Sequence, residues 1–167
     1  MKRLLFFSLV IMAATVSSGQ DKKAEKEKAA QAAYEKALAA IEVKNFVIIV
    51  DTYEASSGTI ETNTDVANFL SMEKEFVFLQ GTMVAGNNYT NKLAVSDYNQ
   101  ITDKKGNIKM SMQAKGSFIT AKIDIFLKKG GNYADVIITP TKGEVKRFSG
   151  EIIPAGESKY FKRPGEV

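Results

Sequence analysis

A chain of 167 residues with 23 Lys and Arg against 19 Asp and Glu, and with neither histidine nor cysteine, lacks several chemistries before any pattern is read. Thiol catalysis, disulfides, Ser-His-Asp triads and His-ligated zinc are excluded, and the usual general base near neutral pH is missing. The net charge of +4 is a weak bias. Its basic residues are interleaved with acids instead of gathering on one face, which points to solvated surface and not to a nucleic-acid partner.

Lys2 and Arg3 precede an apolar run from Leu4 to Val16, and small residues follow at Ser17, Ser18 and Gly19. That order predicts a secretory signal peptide over residues 1–19, cleaved between Gly19 and Gln20. The run is too short for the roughly 20 residues with which a helix crosses a bilayer. Without a cysteine at the cleavage point there is no lipid attachment either. The mature chain is therefore expected to be periplasmic or secreted and not membrane-spanning, with 148 residues and 21 basic against 19 acidic side chains. A domain of that length buries about two-thirds of its unfolded surface, so packing and strand pairing suffice without covalent staples.

Residues 20–44 are charged, rich in alanine and free of Gly and Pro, and they predict a helix. Tyr34, Leu38 and Ile41 share one face of its second half. The first half, DKKAEKEKAA, has no large apolar residue and is expected to be exposed, as a frayed end or a spacer. Asn45 is the expected stop, because it tolerates the left-handed conformation.

From residue 45 to 167 the composition turns β-branched and aromatic, with apolar residues at intervals of two. FVIIVDTYE (46–54) reads as a strand apolar on both faces, followed by an SSGT turn. ANFLSM (67–72) and EFVFLQ (75–80) form a hairpin around Glu73 and Lys74. GTMVAGNNYTN (81–91) is the least regular stretch. KLAVSDYNQI (92–101) and IKMSMQA (108–114) flank DKKGN, and Ile108, Met110, Met112 and Ala114 alternate onto one face. DKKGN is read as a hairpin tip whose Gly and Asn supply positive φ. A calcium loop would need further oxygen ligands where Lys104 and Lys105 stand.

Three long strands follow at 117–127, 133–140 and 145–153, joined by Gly-rich turns, with KYFK as a candidate short fourth. In the first of them Ile119, Ala121, Ile123, Ile125 and Leu127 face one way, and Phe118, Thr120, Lys122, Asp124 and Phe126 the other. Pro140 and Pro154 fall at strand ends, where a missing donor does least harm. The prediction is a mainly β (α+β) fold: an N-terminal helix packed on an antiparallel β-meander of about eight strands, barrel-like or a sandwich.

The segments ALAAIEVKNFVIIVDTYEASSG, ANFLSMEKEFVFLQ, DYNQITDKKGNIKMSMQAKG, GNYADVIITP and FSGEIIPAGESKYFKR resemble, in order, a family of secreted Bacteroidota proteins known as domain-of-unknown-function family 4251. The resemblance spans roughly residues 37–163. GTMVAGNNYTN is shorter than the Gly-rich passage that members often carry after the third strand. The resemblance implies an exported envelope protein and brings no catalytic residues with it.

Carboxylate pairs remain the one accessible enzymatic option, with Asp51 and Asp135, or Glu144 and Glu151, as candidates. Nothing in their spacing unites either pair, and each reads as a surface or turn residue. GTMVAG and KKGG lead toward strands and not into a helix N-terminus, so neither reads as a phosphate cradle. No cofactor, metal or catalytic residue is assigned. Phe69, Phe76, Phe78, Tyr89, Tyr98 and Phe118 lie on or beside the meander, where aromatics fill a core. If the sheet closes, its mouth offers a place for a small apolar or amphipathic ligand, with 81–91 as lid or rim. The sequence thus predicts a non-enzymatic exported binding module, with a structural or protein-interaction role in the cell envelope as the alternative.

Overall fold

In a computed structural model, residues 17–167 are described. Residues 1–16 of the expected 1–19 signal peptide lie outside them, and residues 17–19 fall within them. Helix α1 (Ser17–Glu42) leads into β1 (Asn45–Ile49), β2 (Thr52–Glu54), β3 (Ile60–Thr62), β4 (Phe69–Glu73) and β5 (Phe76–Gln80). A single helical turn, α2 (Thr82–Ala85), precedes β6 (Thr90–Thr102), β7 (Ile108–Lys115), β8 (Thr120–Leu127), β9 (Tyr133–Pro140) and β10 (Lys146–Pro154). The order β1-β4-β5-β6-β7-β8-β9-β10 closes on itself, because Phe46, Val47 and Ile48 pair with Pro154, Ile153 and Ile152. The fold is an eight-stranded antiparallel barrel and not a sandwich. Closure leaves no edge within the ring.

Alternation along the strands builds the interior. Ile108, Met110, Met112 and Ala114 point inward from β7, as do Ala121, Ile123, Ile125 and Leu127 from β8. They join Ile48, Leu70, Leu79, Val136, Phe148 and Ile152 in one cluster in which every member is 6 % exposed or less. The barrel is therefore filled by side chains, as small barrels can be.

Each end is plugged. Tyr34, Ala37, Ala40 and Ile41 of α1 enter the same cluster, with Leu38 packed against it, while residues 22–29 are exposed. The Tyr34 hydroxyl donates to the Gly106 carbonyl at 2.9 Å, tying the helix to the β6–β7 turn. Tyr34→Phe is expected to cost about 1 kcal/mol, the ordinary net value of one hydrogen bond, measurable by urea unfolding. That turn is the DKKGN tip. The Asp103 carboxylate accepts from the backbone N–H of Asn107 and Lys105 and from the Asn107 amide, and these bonds, led by those from Asn107, hold its carboxyl below the usual carboxylate range. The opposite end, between β5 and β6, carries α2 with Val84 buried.

Several expectations are corrected. The 46–54 strand is broken at Val50 and Asp51, so that β1 stays in the ring while β2 leaves it and pairs with β3, an unanticipated short strand after the Gly58 turn. The left-handed stop after α1 is Lys44 (φ 52), not Asn45, which already starts β1. In the β4–β5 hairpin Glu73 pairs with Phe76, so the two-residue connection is Lys74 and Glu75, with Lys74 at φ 60. Strand β6 starts at Thr90, and between Ser96 and Asn99 it carries a bulge with Asp97 at φ 52. Strand β8 starts at Thr120, so Ser117–Ile119 belong to the connection before it.

KYFK is not a strand. After a 3₁₀ turn at Ala155–Glu157 the C-terminal tail crosses the outside of the barrel, where Tyr160 packs edge-on against Phe69 at 4.7 Å and covers Val47 and Phe78. Asp124, on the face of β8 opposite the inward-pointing Ile123 and Ile125, is only 8 % exposed. Burial works against its charge, but the Lys122 and Ser111 hydrogen bonds and the charges of Lys122 and Lys109 win and keep its carboxyl below the ordinary range.

Candidate functional site

The mouth of the barrel is built from the residues that follow β5. Gln80 is fully buried; its amide donates to the carbonyls of Ala67 (2.9 Å) and Phe161 (2.7 Å), and its carbonyl accepts from the Thr90 hydroxyl and the Arg163 N–H (2.7 Å). One side chain thus joins β5, β6 and the tail. Gly81 follows at φ 91, and a Cβ there would lie 2.1 Å from the Asn68 side-chain oxygen, so only glycine fits. Gly86 at φ 71 ends α2, and the Asn91 amide donates to the Leu79 carbonyl (3.1 Å) and the Asn87 oxygen (2.9 Å). The irregular 81–91 stretch is therefore a braced rim.

Across from this rim stand the β7–β8 connection (Gly116–Ile119) and the β9–β10 connection (Thr141–Val145). Between them lies an open groove of 510 Å³ lined by Val84 and Ala85 of the rim, Phe118, Ile119, Pro140, Lys142 and Lys146. Phe118 is 71 % exposed above it. Lys146 is paired with Glu144 at 3.3 Å, which leaves Lys142 as the cation without an ion-pair partner among the described lining residues. Phe118 is the one sequence-selected aromatic that lines this groove. Phe69 and Phe78 are buried under the tail, Phe76 lies half-buried beneath Lys92 (4.4 Å to the ring centre), and Tyr98 lies half-buried beneath Lys44 (4.2 Å). Tyr89 is 61 % exposed on the outer side of the rim.

Of the two carboxylate pairs, the fold assembles one around a third residue. Asp51 accepts from the Tyr133 hydroxyl at 2.8 Å, and the charge of Asp135 acts on the same hydroxyl. Burial first, then the bond to Asp51 and the charges of Asp51 and Asp135, raise the Tyr133 hydroxyl above its ordinary value against the opposing Thr52 hydrogen bond. Asp135 itself accepts from the Ser149 hydroxyl at 2.8 Å. All of these lie on the outer flank of the barrel, not in a buried cleft. Glu144 and Glu151 are not brought together, since seven residues of extended chain separate them by about 23 Å. Among the described residues no three acidic side chains come together to hold a metal ion.

Sequence reasoning did not single out Gln80, Tyr133 or Gly150. Period-two alternation does place Tyr133 outward, because Ala134, Val136 and Ile138 face inward, so an outward aromatic at a strand start was the available signal. Gln80 and Gly150 carried none.

Comparison with known proteins agrees with the architecture. Among curated proteins none is similar enough to count as a relative. The crystal structure of a DUF4251 family protein from Bacteroides eggerthii DSM 20697 is similar to this chain with a TM-score of 0.69 at 27 % identity, over 79 % of this chain and 94 % of that one. The model of the family described as a domain of unknown function, DUF4251, matches residues 28–152. With most of its length under that match and the same barrel in a relative from the Bacteroidota, the chain belongs to the DUF4251 family.

Proposed function

We propose that the protein is an exported, non-enzymatic binding module that holds a small amphipathic ligand at the mouth of its barrel. The observation that carries this reading is the 510 Å³ groove with the exposed Phe118 ring above a barrel whose interior is already full. A ligand enclosed within the barrel would have to displace packed side chains, so the reading is confined to the mouth. Phe118, Ile119 and Val84 offer an apolar wall and Lys142 a charge for a polar end, the mixture typical of small-molecule sites. The inward faces are aliphatic and the outward faces of β7 to β10 carry Lys109, Lys122, Asp135, Arg147 and Glu151. That distribution supports a barrel in water, since membrane barrels reverse it.

The test is native mass spectrometry of the processed chain purified from the periplasm of an expressing host. The reading expects an extra mass that is lost on denaturation and absent from a folded Phe118→Ala variant. A bare mass under conditions that preserve weak complexes would sink it.

A second reading, a protein-interaction component of the cell envelope, is favoured by one feature. Residues 22–29 of α1 extend beyond the barrel as an exposed, lysine-rich segment. Cross-linking in intact cells would support that role if it yields a partner adduct that disappears when residues 20–33 are deleted.

A further inference from the structure

We propose that the outer flank of the barrel carries a separate groove that binds a small organic cation, a primary ammonium group on a short aliphatic chain. The groove is a consequence of the break between β1 and β2. Between the pairs Ile48↔Ile152 and Thr52↔Ser149 the β1–β2 chain holds three residues and β10 only two, a bulge opposite Gly150. Bulges re-aim side chains in this way. The backbone of Asp51 is held from both sides, its N–H donating to Ser149 (2.9 Å) and its carbonyl accepting from Asn63 (2.7 Å).

The resulting groove has a volume of 340 Å³ and shares no lining residue with the mouth. Its apolar part is Ile49, Val66 and Ile153; its polar part includes Asp51, Glu151 and Tyr133. Tyr133 stands directly across from Glu151 in the β9–β10 ladder, and its hydroxyl is bonded to Asp51, so the three form one array. Tyr133 as a residue is 42 % exposed.

Charge decides the occupant. No lysine or arginine lines the groove, and neither Asp51 nor Glu151 has an ion-pair partner among the described residues, although the chain as a whole is basic. Among the described residues no third acidic side chain joins these two to form a cluster that could hold a metal ion. An ammonium group matches them: it donates to both carboxylates and is attracted by the face of an aromatic ring. The groove is at the small end of ligand pockets, about 300–1,000 Å³, and Ile49, Val66 and Ile153 offer an apolar bed for a chain of a few carbons.

The probe is hexylammonium, with 1-hexanol and hexanoate as neutral and anionic controls, titrated into the isotopically labelled protein and followed by NMR. Saturable shifts centred on Asp51, Tyr133 and Glu151 are expected with hexylammonium alone. The dissociation constant should rise about tenfold in Glu151→Gln and again in Asp51→Asn, as expected for loss of a charge-assisted hydrogen bond. Both positions are outward-facing, and retained amide dispersion would verify that the variants fold. Equal binding of 1-hexanol, an unchanged constant in Glu151→Gln, or no shift at millimolar probe would overturn the assignment. Shifts confined to Phe118 and Lys142 would also overturn it, while leaving the reading of the mouth intact.

Discussion

Replacing Gly150 by alanine is expected to destabilise the protein by more than about 3 kcal/mol, beyond the ordinary range for a single methyl group. A Cβ at this position would lie 2.0 Å from the Ile49 carbonyl oxygen and 3.1 Å from its carbon. The obstacle is main chain, so no rotamer change can relieve it. Moving Ile49 away would pull at the pairing of β1 with both β4 and β10, the seam that closes the ring. Urea unfolding should show a lower midpoint with little change in slope if the barrel survives. Gly156→Ala is the control: it has nothing within 4 Å and should stay within about 0.5 kcal/mol of the parent. If Gly150→Ala were as stable as Gly156→Ala, the close crossing of β1 over β10 would be wrong.

Gln80→Leu should rank next, at about 3 kcal/mol, although it exchanges a polar for an apolar side chain of similar size. The substitution leaves the Ala67 and Phe161 carbonyls and the Arg163 N–H without the partner that satisfies them. Each buried orphan costs about 1–3 kcal/mol, and water can reach those at the tail once it lifts. The loss should therefore be local first. The Lys92 N–H donates to Val167 (2.9 Å) and the Val167 N–H to Thr90 (3.0 Å). Hydrogen exchange at these two amides should accelerate well before the barrel strands lose protection. Uniform acceleration across the barrel would instead mean that the tail and ring unfold as one unit.

Both predictions concern residues that no local pattern marks. Gly150 lies in a strand-like run, and its need for space arises from a bulge formed by residues about 100 positions earlier in the chain. Gln80 ends the apolar run EFVFLQ, where a polar residue reads as the start of a loop. The four groups it satisfies come from three separate segments. The aromatic residues show the same limit. Alternation tells which face of β4 or β5 holds Phe69 and Phe78, but both faces of those strands are covered, one by the core and the other by Tyr160 of the tail. Phe118 and Tyr89 look no different in sequence, yet stand in the open.

The positions of the left-handed residues illustrate a finer boundary. Lys44, Lys74 and Asp97 adopt positive φ where glycine or asparagine is favoured. Lys44 and Lys74 are joined by a backbone hydrogen bond, the Lys74 N–H donating to the Lys44 carbonyl at 2.8 Å. Tertiary pairing around the barrel end thus holds a conformation that these side chains do not choose by themselves.

What the sequence by itself determined is the local grammar of this protein. The helical spacing of Tyr34, Leu38 and Ile41, the two-residue alternation from Ile108 to Ala114 and through β8 and β9, and the turn chemistry of DKKGN and KKGGN specify which elements form and which faces turn inward. These signals are local because side-chain period and turn geometry depend on neighbours only a few residues away. Tertiary structure alone decided that Phe46 meets Pro154 and the meander becomes a ring, that the tail straps its outside, and that Asp51, Tyr133 and Glu151 share one groove. Each of these unites residues far apart in the chain, and their geometry comes into being only when the barrel closes.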